Sequence, residues 1–136
     1  MRLLIVDDSS AIRLLLQRFL SPFAECATAG SGDEALELFA AALDTTPFDA
    51  VLTDLNMPLM DGHQLLAALR RLEEERGAPP GRRFKAAAVT SFDDNEEQQR
   101  CREQDKVDAF VVKPFTEQSL VAALAGAGIL PPGSAA

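Results

Sequence analysis

The sequence predicts a doubly wound α/β domain, five parallel strands with helices on both faces of the sheet. Three observations predict it. Short apolar runs alternate with segments of helical spacing, five of each. The first run, Leu3-Leu4-Ile5-Val6, lacks the apolar–polar alternation of a half-exposed strand and suits one buried on both faces. Each run also ends at a polar residue or turn signal, as βα units joined by right-handed crossovers should.

The first run stops at Asp7-Asp8-Ser9-Ser10. The helix after it, Ala11 to Leu20, has apolar residues at 12, 15, 16, 19 and 20 and is closed by Ser21-Pro22. Glu25 to Ala29 is a short second strand. Gly30-Ser31-Gly32-Asp33-Glu34 leads into a helix through Leu43, with Ser31 and Glu34 spaced as a capping box. Phe48 to Thr53 reads as the third strand, ending at Asp54, and Gly62 to about Glu75 as a helix with Leu65, Leu66, Leu69 and Leu72 on one face. Gly77-Ala78-Pro79-Pro80-Gly81 excludes regular structure. Phe84 to Thr90 is the fourth strand, Asp94 to about Glu103 a polar, exposed helix, Ala109 to Val112 the fifth strand, and Thr116 to Ala125 the last helix. Pro131-Pro132-Gly133-Ser134 is a tail.

A chain of 136 residues, 47% apolar and 25% charged, suits one such core and leaves no room for a second catalytic or DNA-binding domain. Its formal charge of −8 opposes direct binding to nucleic acid or to an anionic membrane. No apolar run reaches the roughly 20 residues of a membrane span, and the one after Met1-Arg2 is too short for a signal peptide. Two separated cysteines, Cys26 and Cys101, make neither a disulfide framework nor a zinc cluster, so a reducing cytoplasm is expected.

Ligands of such sheets bind beyond the carboxyl ends of the strands, where strand order reverses. There the polar residues collect. Strand one ends in Asp7 and Asp8, strand three in Asp54, strand four in Thr90 and Ser91, strand five in Lys113. Taken singly, Asp7 or Asp8 reads as a helix cap and Lys113 as a surface lysine. Jointly they place three carboxylates, a hydroxyl and one ammonium on a single rim. Three like charges need a partner, and a hard divalent cation such as Mg²⁺ restores neutrality once Lys113 is included.

Leu4-Ile5-Val6-Asp7-Asp8, the stretch from Leu52-Thr53-Asp54 through Met57-Pro58 to Asp61-Gly62, Val89-Thr90-Ser91, and Phe110-Val111-Val112-Lys113-Pro114-Phe115 resemble the signature set of bacterial two-component receiver domains. The likeness spans about Met1 to Ala125. It implies a flavodoxin-like sheet of order 2-1-3-4-5, a receiver over residues 1–126 and a tail over 127–136. It also implies that Asp54 accepts a phosphoryl group from the phosphohistidine of a sensor histidine kinase or phosphotransfer protein. Asp8 and Asp54 would bind Mg²⁺ directly, Asp7 through water, and the backbone carbonyl of Asn56 would complete the set. Lys113 would pair with one phosphoryl oxygen and Thr90 with another. A cis peptide is expected before Pro114. Phosphorylation would draw Thr90 inward and let Phe110 rotate, changing the partner affinity of the face formed by the fourth helix, fifth strand and fifth helix.

The resemblance thus implies a stand-alone response regulator, a phosphoacceptor rather than a metabolic enzyme. It would work by protein contact, as a monomer or a phosphorylation-dependent homodimer. An aspartate-nucleophile phosphatase and a phosphorylation-independent adaptor are the alternatives. Four positions depart from the family pattern. Phe110 replaces a tyrosine and Ser91 an alanine, Phe92 is apolar and is expected to alter phosphoryl lifetime, and Lys106 replaces a glycine. That last position favours a left-handed backbone, so distortion is expected at the end of the fourth helix.

Other signals carry less. Gly30-Ser31-Gly32-Asp33-Glu34-Ala35 fits a phosphate-loop pattern, but its two acids would face the pyrophosphate, so a capped turn is expected. His63 is expected to face solvent without metal partners. Arg70, Arg71, Arg76, Arg82, Arg83 and Lys85 read as a solvated stretch at the sheet end opposite the aspartates.

Overall fold

The computed structural model describes residues 1–91 and 95–134. Phe92 and Asp94 lie outside the described residues. The chain runs β1 (Arg2–Val6), α1 (Ser10–Leu20), β2 (Glu25–Ala29), α2 (Gly32–Leu43), β3 (Ala50–Thr53), α3 (Gly62–Glu75), β4 (Lys85–Thr90), α4 (Asn95–Glu103), β5 (Ala109–Val112) and α5 (Glu117–Gly126). The sheet order is β2-β1-β3-β4-β5, and every neighbouring pair is parallel.

The pleat sorts each buried strand onto two cores, because successive side chains point to opposite faces. On β1, Leu4 and Val6 join Val51, Phe39, Leu65, Leu69 and Cys101 beneath α2, α3 and α4. Leu3 and Ile5 join Leu52, Leu16, Leu20, Leu120 and Leu124 beneath α1 and α5. Beyond α5 the chain turns at Gly128 (φ +76°) and buries Ile129 and Leu130 in the second core.

Several sequence expectations shift by a residue or two, for local reasons. Phe48 and Phe84 were expected inside strands three and four but precede β3 and β4. Their rings still fill the core, meeting Phe39 at 6.4 and 5.3 Å between centroids. The Phe84 N–H is taken by Glu73 Oε2 at 2.7 Å. Ser31 caps α2 by accepting from the Glu34 N–H, but Glu34 reaches the Gly30 N–H at 3.0 Å, so the reciprocal half of the expected box is displaced by one residue. The Gly77–Gly81 stretch is irregular except for one 3-10 turn starting at Pro80.

The surroundings of two polar side chains differ from expectation. Arg70 is not simply solvated. Its guanidinium lies 3.9 Å from the centroid of the Phe84 ring and donates to the carbonyls of Phe84 (2.6 Å) and Lys106 (3.2 Å). His63 does not face solvent either. It is 6% exposed, with Nδ1 against Asp105 and Nε2 against Glu97. Both histidine partners are more than 30 residues away in sequence, on α4 and the turn after it, so helix periodicity could not reveal them.

At the end of α4, Lys106 adopts φ +56°, and the Val107 N–H bonds to the Cys101 carbonyl at 2.9 Å. This is a regular left-handed helix stop rather than the expected distortion, made by a residue that carries a Cβ.

Candidate functional site

Sheet register builds the site. Val6 pairs with Thr53 across the β1–β3 boundary, where strand order reverses, so the next residues, Asp7 and Asp54, stand side by side. Thr90 pairs with Val112, so Lys113 leaves β5 at the same rim. Parallel strands all point one way, so residues that end them converge.

The convergence is tight. Carboxylate oxygens of Asp7, Asp8 and Asp54 lie within 4.8 Å of one another. Lys113 Nζ donates to Asp7 Oδ2 at 2.8 Å and to Asp54 Oδ2 at 3.2 Å. Asp7 and Asp54 are buried, and Asp8 is exposed on the solvent side. The Lys113–Pro114 peptide is cis.

Neither Asp7 nor Asp8 caps α1. Ser9 does so, its hydroxyl accepting from the Ile12 N–H. Asp7 Oδ1 instead accepts from the Ser9 N–H (2.9 Å), and Asp54 Oδ1 from the Asn56 N–H (3.1 Å). Each buried carboxylate thus keeps one oxygen on backbone and turns the other to the lysine. The Asn56 side of the rim depends on Gly62, because a Cβ there would overlap the Asp54 carbonyl oxygen and lie 2.8 Å from the Leu55 Cα.

Burial pushes the Asp54 carboxyl above its usual range. The Asn56 N–H and the Lys113 charge pull it down, Asp7 adds to the rise, and the net shift is upward. Burial alone would lower the Lys113 ammonium, but the hydrogen bond to Asp7 and the charges of Asp54 and Asp7 outweigh it, so its net shift is also upward. One lysine therefore does not fully compensate the carboxylates. The donors are all hard oxygens, and a divalent cation of Mg²⁺ type fits them.

Thr90 is fully buried at the end of β4, and its carbonyl accepts from the Lys113 N–H at 2.7 Å. Phe110 on β5 is half-buried, packed against the α2–α4 core. Sequence reasoning missed Arg13, which donates from a guanidinium nitrogen to the Asp7 carbonyl at 2.6 Å. Its position one turn into α1 gives no sign of this.

The profile of the response regulator receiver domain matches residues 3–125. The chain belongs to that family. CheY, a chemotaxis protein of Pseudomonas aeruginosa, is 34% identical over 122 residues, covering 88% of this chain and 90% of CheY. The sensor histidine kinase GacS of Pseudomonas protegens is 36% identical over 120 residues, covering 88% of this chain. This receiver spans only 12% of GacS. Among solved structures, the receiver domain of the Arabidopsis thaliana histidine kinase CKI1, complexed with Mg²⁺ and BeF₃⁻, aligns with a TM-score of 0.77. It is 28% identical, over 93% of this chain and 89% of that one. Vibrio cholerae CheY4 aligns with a TM-score of 0.74 at 29% identity, over 90% of this chain and 94% of CheY4. The protein is a receiver of two-component signalling with the fold the sequence predicts. Among the described residues, no helix is long and apolar enough to cross a membrane.

Proposed function

We propose that Asp54 accepts a phosphoryl group from the phosphohistidine of a sensor kinase or phosphotransfer protein, and that the adduct resets the α4–β5–α5 face. The observation that carries this reading is the Lys113 ammonium set between Asp7 and Asp54 on the rim. An Asp54 carboxylate oxygen attacks phosphorus, the bond from phosphorus to the donor's imidazole nitrogen breaks, and that nitrogen takes up a proton from solvent. Lys113 offsets charge on the incoming phosphoryl oxygens, and the Thr90 hydroxyl donates to another of them. Asp7, Asp8, Asp54 and the Asn56 carbonyl are the residues that would hold Mg²⁺. A bound Mg²⁺ supplies positive charge that screens the repulsion between two anions.

The product is a charge and a shape rather than a metabolite. Phosphorylation adds about −1.5 to −2 of charge beside Thr90. Phe110, one strand over and half-buried, is the aromatic that would turn in response and alter contacts with a protein partner. The CKI1 receiver complexed with Mg²⁺ and BeF₃⁻ supports the pairing of cation and phosphoryl mimic. The likeness to CheY, 90% of whose length is covered, supports a regulator that passes its signal by protein contact. The likeness to GacS offers a phosphorelay setting for the same chemistry.

Incubation with a small acyl-phosphate donor and Mg²⁺ tests the reading. The expected result is a base-labile adduct that needs Mg²⁺ and is absent in Asp54→Asn. Steady turnover of phosphate monoesters would make the protein a phosphatase instead. A folded wild-type protein that never forms the adduct would be an adaptor.

A further inference from the structure

A second cluster of ligand-type side chains lies between α3 and α4, away from the acidic rim. Glu97, Cys101 and Asp105 recur every four residues, and so share one side of α4 and its C-terminal turn. That side meets His63 at the start of α3. One ligand atom each from His63, Glu97 and Cys101 lies within 4.8 Å of the others. His63 and Cys101 are buried, and Glu97 is partly open to solvent.

We propose that His63, Glu97 and Cys101 form a binding site for a borderline-soft divalent ion of Zn²⁺ type, distinct from the hard-cation rim. The donor set is one imidazole nitrogen, one thiolate and one carboxylate. Zinc takes that mixture and Mg²⁺ does not. A tetrahedral shell with bonds of roughly 2.0–2.3 Å spaces its ligands by about 3.5 Å, which small side-chain rotations reach from the observed spread.

Asp105 supplies an independent indication. It holds His63 Nδ1, while Nε2 faces Glu97. A carboxylate on the far nitrogen is the usual partner of a metal-binding histidine, because it fixes the tautomer and makes the facing nitrogen more basic. A solvent-exposed helical histidine would need no such clamp. Binding would form Nε2–metal, Sγ–metal and O–metal bonds and release to solvent the Cys101 thiol proton, together with any proton carried on Nε2. Burial, with the charges of Asp105 and Glu97, pushes the Cys101 thiol up to about 12, so the ion must displace that proton. Three protein ligands leave a fourth position for water, on the Glu97 side. The bound ion would pin α4 to α3.

Cobalt(II) is the probe, since a thiolate ligand gives a near-ultraviolet charge-transfer band and tetrahedral geometry gives strong visible bands. The titration uses wild-type protein with Mg²⁺ in excess to fill the acidic rim. The expected result is one equivalent of Co²⁺ with both bands, displaced by Zn²⁺ and unaffected by Asp8→Asn or Cys26→Ser. Cys101→Ser should lose the charge-transfer band. His63→Gln, which keeps the thiol, should weaken binding at least tenfold, and Asp105→Asn about tenfold. A wild-type protein with no thiolate band overturns the proposal, as does a band that survives Cys101→Ser or is indifferent to His63→Gln. The proposal does not depend on phosphorylation of Asp54, and either can fail alone.

Discussion

Lys113 reaches Asp7 across 106 residues of sequence, with Nζ 2.8 Å from Oδ2, and the same nitrogen touches Asp54 at 3.2 Å. The two ends of the sheet's chain path are thus tied at one rim by a half-buried ammonium. Replacing it with a neutral side chain strands two buried carboxylates. Lys113→Met is expected to cost about 3 kcal/mol at pH 7 without divalent ions, the usual penalty for removing one partner of a buried pair. Added Mg²⁺ should recover part of the loss, and its removal by chelator should restore it. Urea unfolding with and without Mg²⁺ measures both, and a variant as stable as wild type in chelator would contradict the charge balance described.

Gly62 holds the loop that positions Asn56 and the carbonyl of Asp54. A methyl group there meets backbone, which cannot swing aside as a flexible side chain does. Gly62→Ala should destabilise by about 2 kcal/mol, within the range for overpacking, despite the better helix propensity of alanine. It should also weaken Mg²⁺ binding, because the Asp54–Asn56 turn has to shift. Mg²⁺ titration of the folded variant checks the second point.

Lys106 holds a left-handed backbone at the α4 stop with a Cβ in place. Lys106→Gly should therefore stabilise the protein by about 1 kcal/mol, the cost of that conformation for an ordinary residue. Loss of the side chain removes little, since Lys106 is exposed and its backbone carbonyl, not its amine, receives Arg70. A lower unfolding midpoint in the glycine variant would show that the strain is relieved elsewhere.

Glu73 is 2% exposed on α3 and accepts the Phe84 N–H with one oxygen. Its other oxygen, Oε1, is among the buried polar atoms without a hydrogen-bond partner. Burial raises the carboxyl above its ordinary value, against the opposing pull of the Phe84 N–H and Arg70. A raised carboxyl binds its proton more tightly folded than unfolded, so wild-type stability falls as pH climbs from the ordinary carboxylate range through the raised value. Glu73→Gln removes that slope. The stability difference between variant and wild type should move in favour of Gln across this window and stay constant above it. Unfolding midpoints from pH 4 to 8 test the sign.

Much of the rim is legible in the sequence. Asp7, Asp8, Asp54, Thr90 and Lys113 each follow an apolar run, and a parallel sheet necessarily sends the ends of its strands to one edge. Ser9 as the cap of α1 was less visible, since any of four adjacent polar residues could have served. Arg13 was invisible, because its bond to the Asp7 carbonyl depends on how α1 leans over the β1 end. Phe48 and Phe84 were misplaced as strand residues. Their apolar character reports burial, whereas strand membership depends on where the Phe84 N–H finds its acceptor, and that acceptor is Glu73.

The sequence by itself determined the order and type of the elements, the two-faced burial of the strands and the identity of the acidic rim. Each of these follows from local periodicity and from where polar residues interrupt it. Only the tertiary structure decided what His63, Arg70 and Glu73 do. Each looks like a surface residue on its own helix, and a distant element buries His63 and Glu73 and partly covers Arg70. Burial of a polar side chain is a property of the pair of elements that enclose it, and single-helix periodicity does not carry that information.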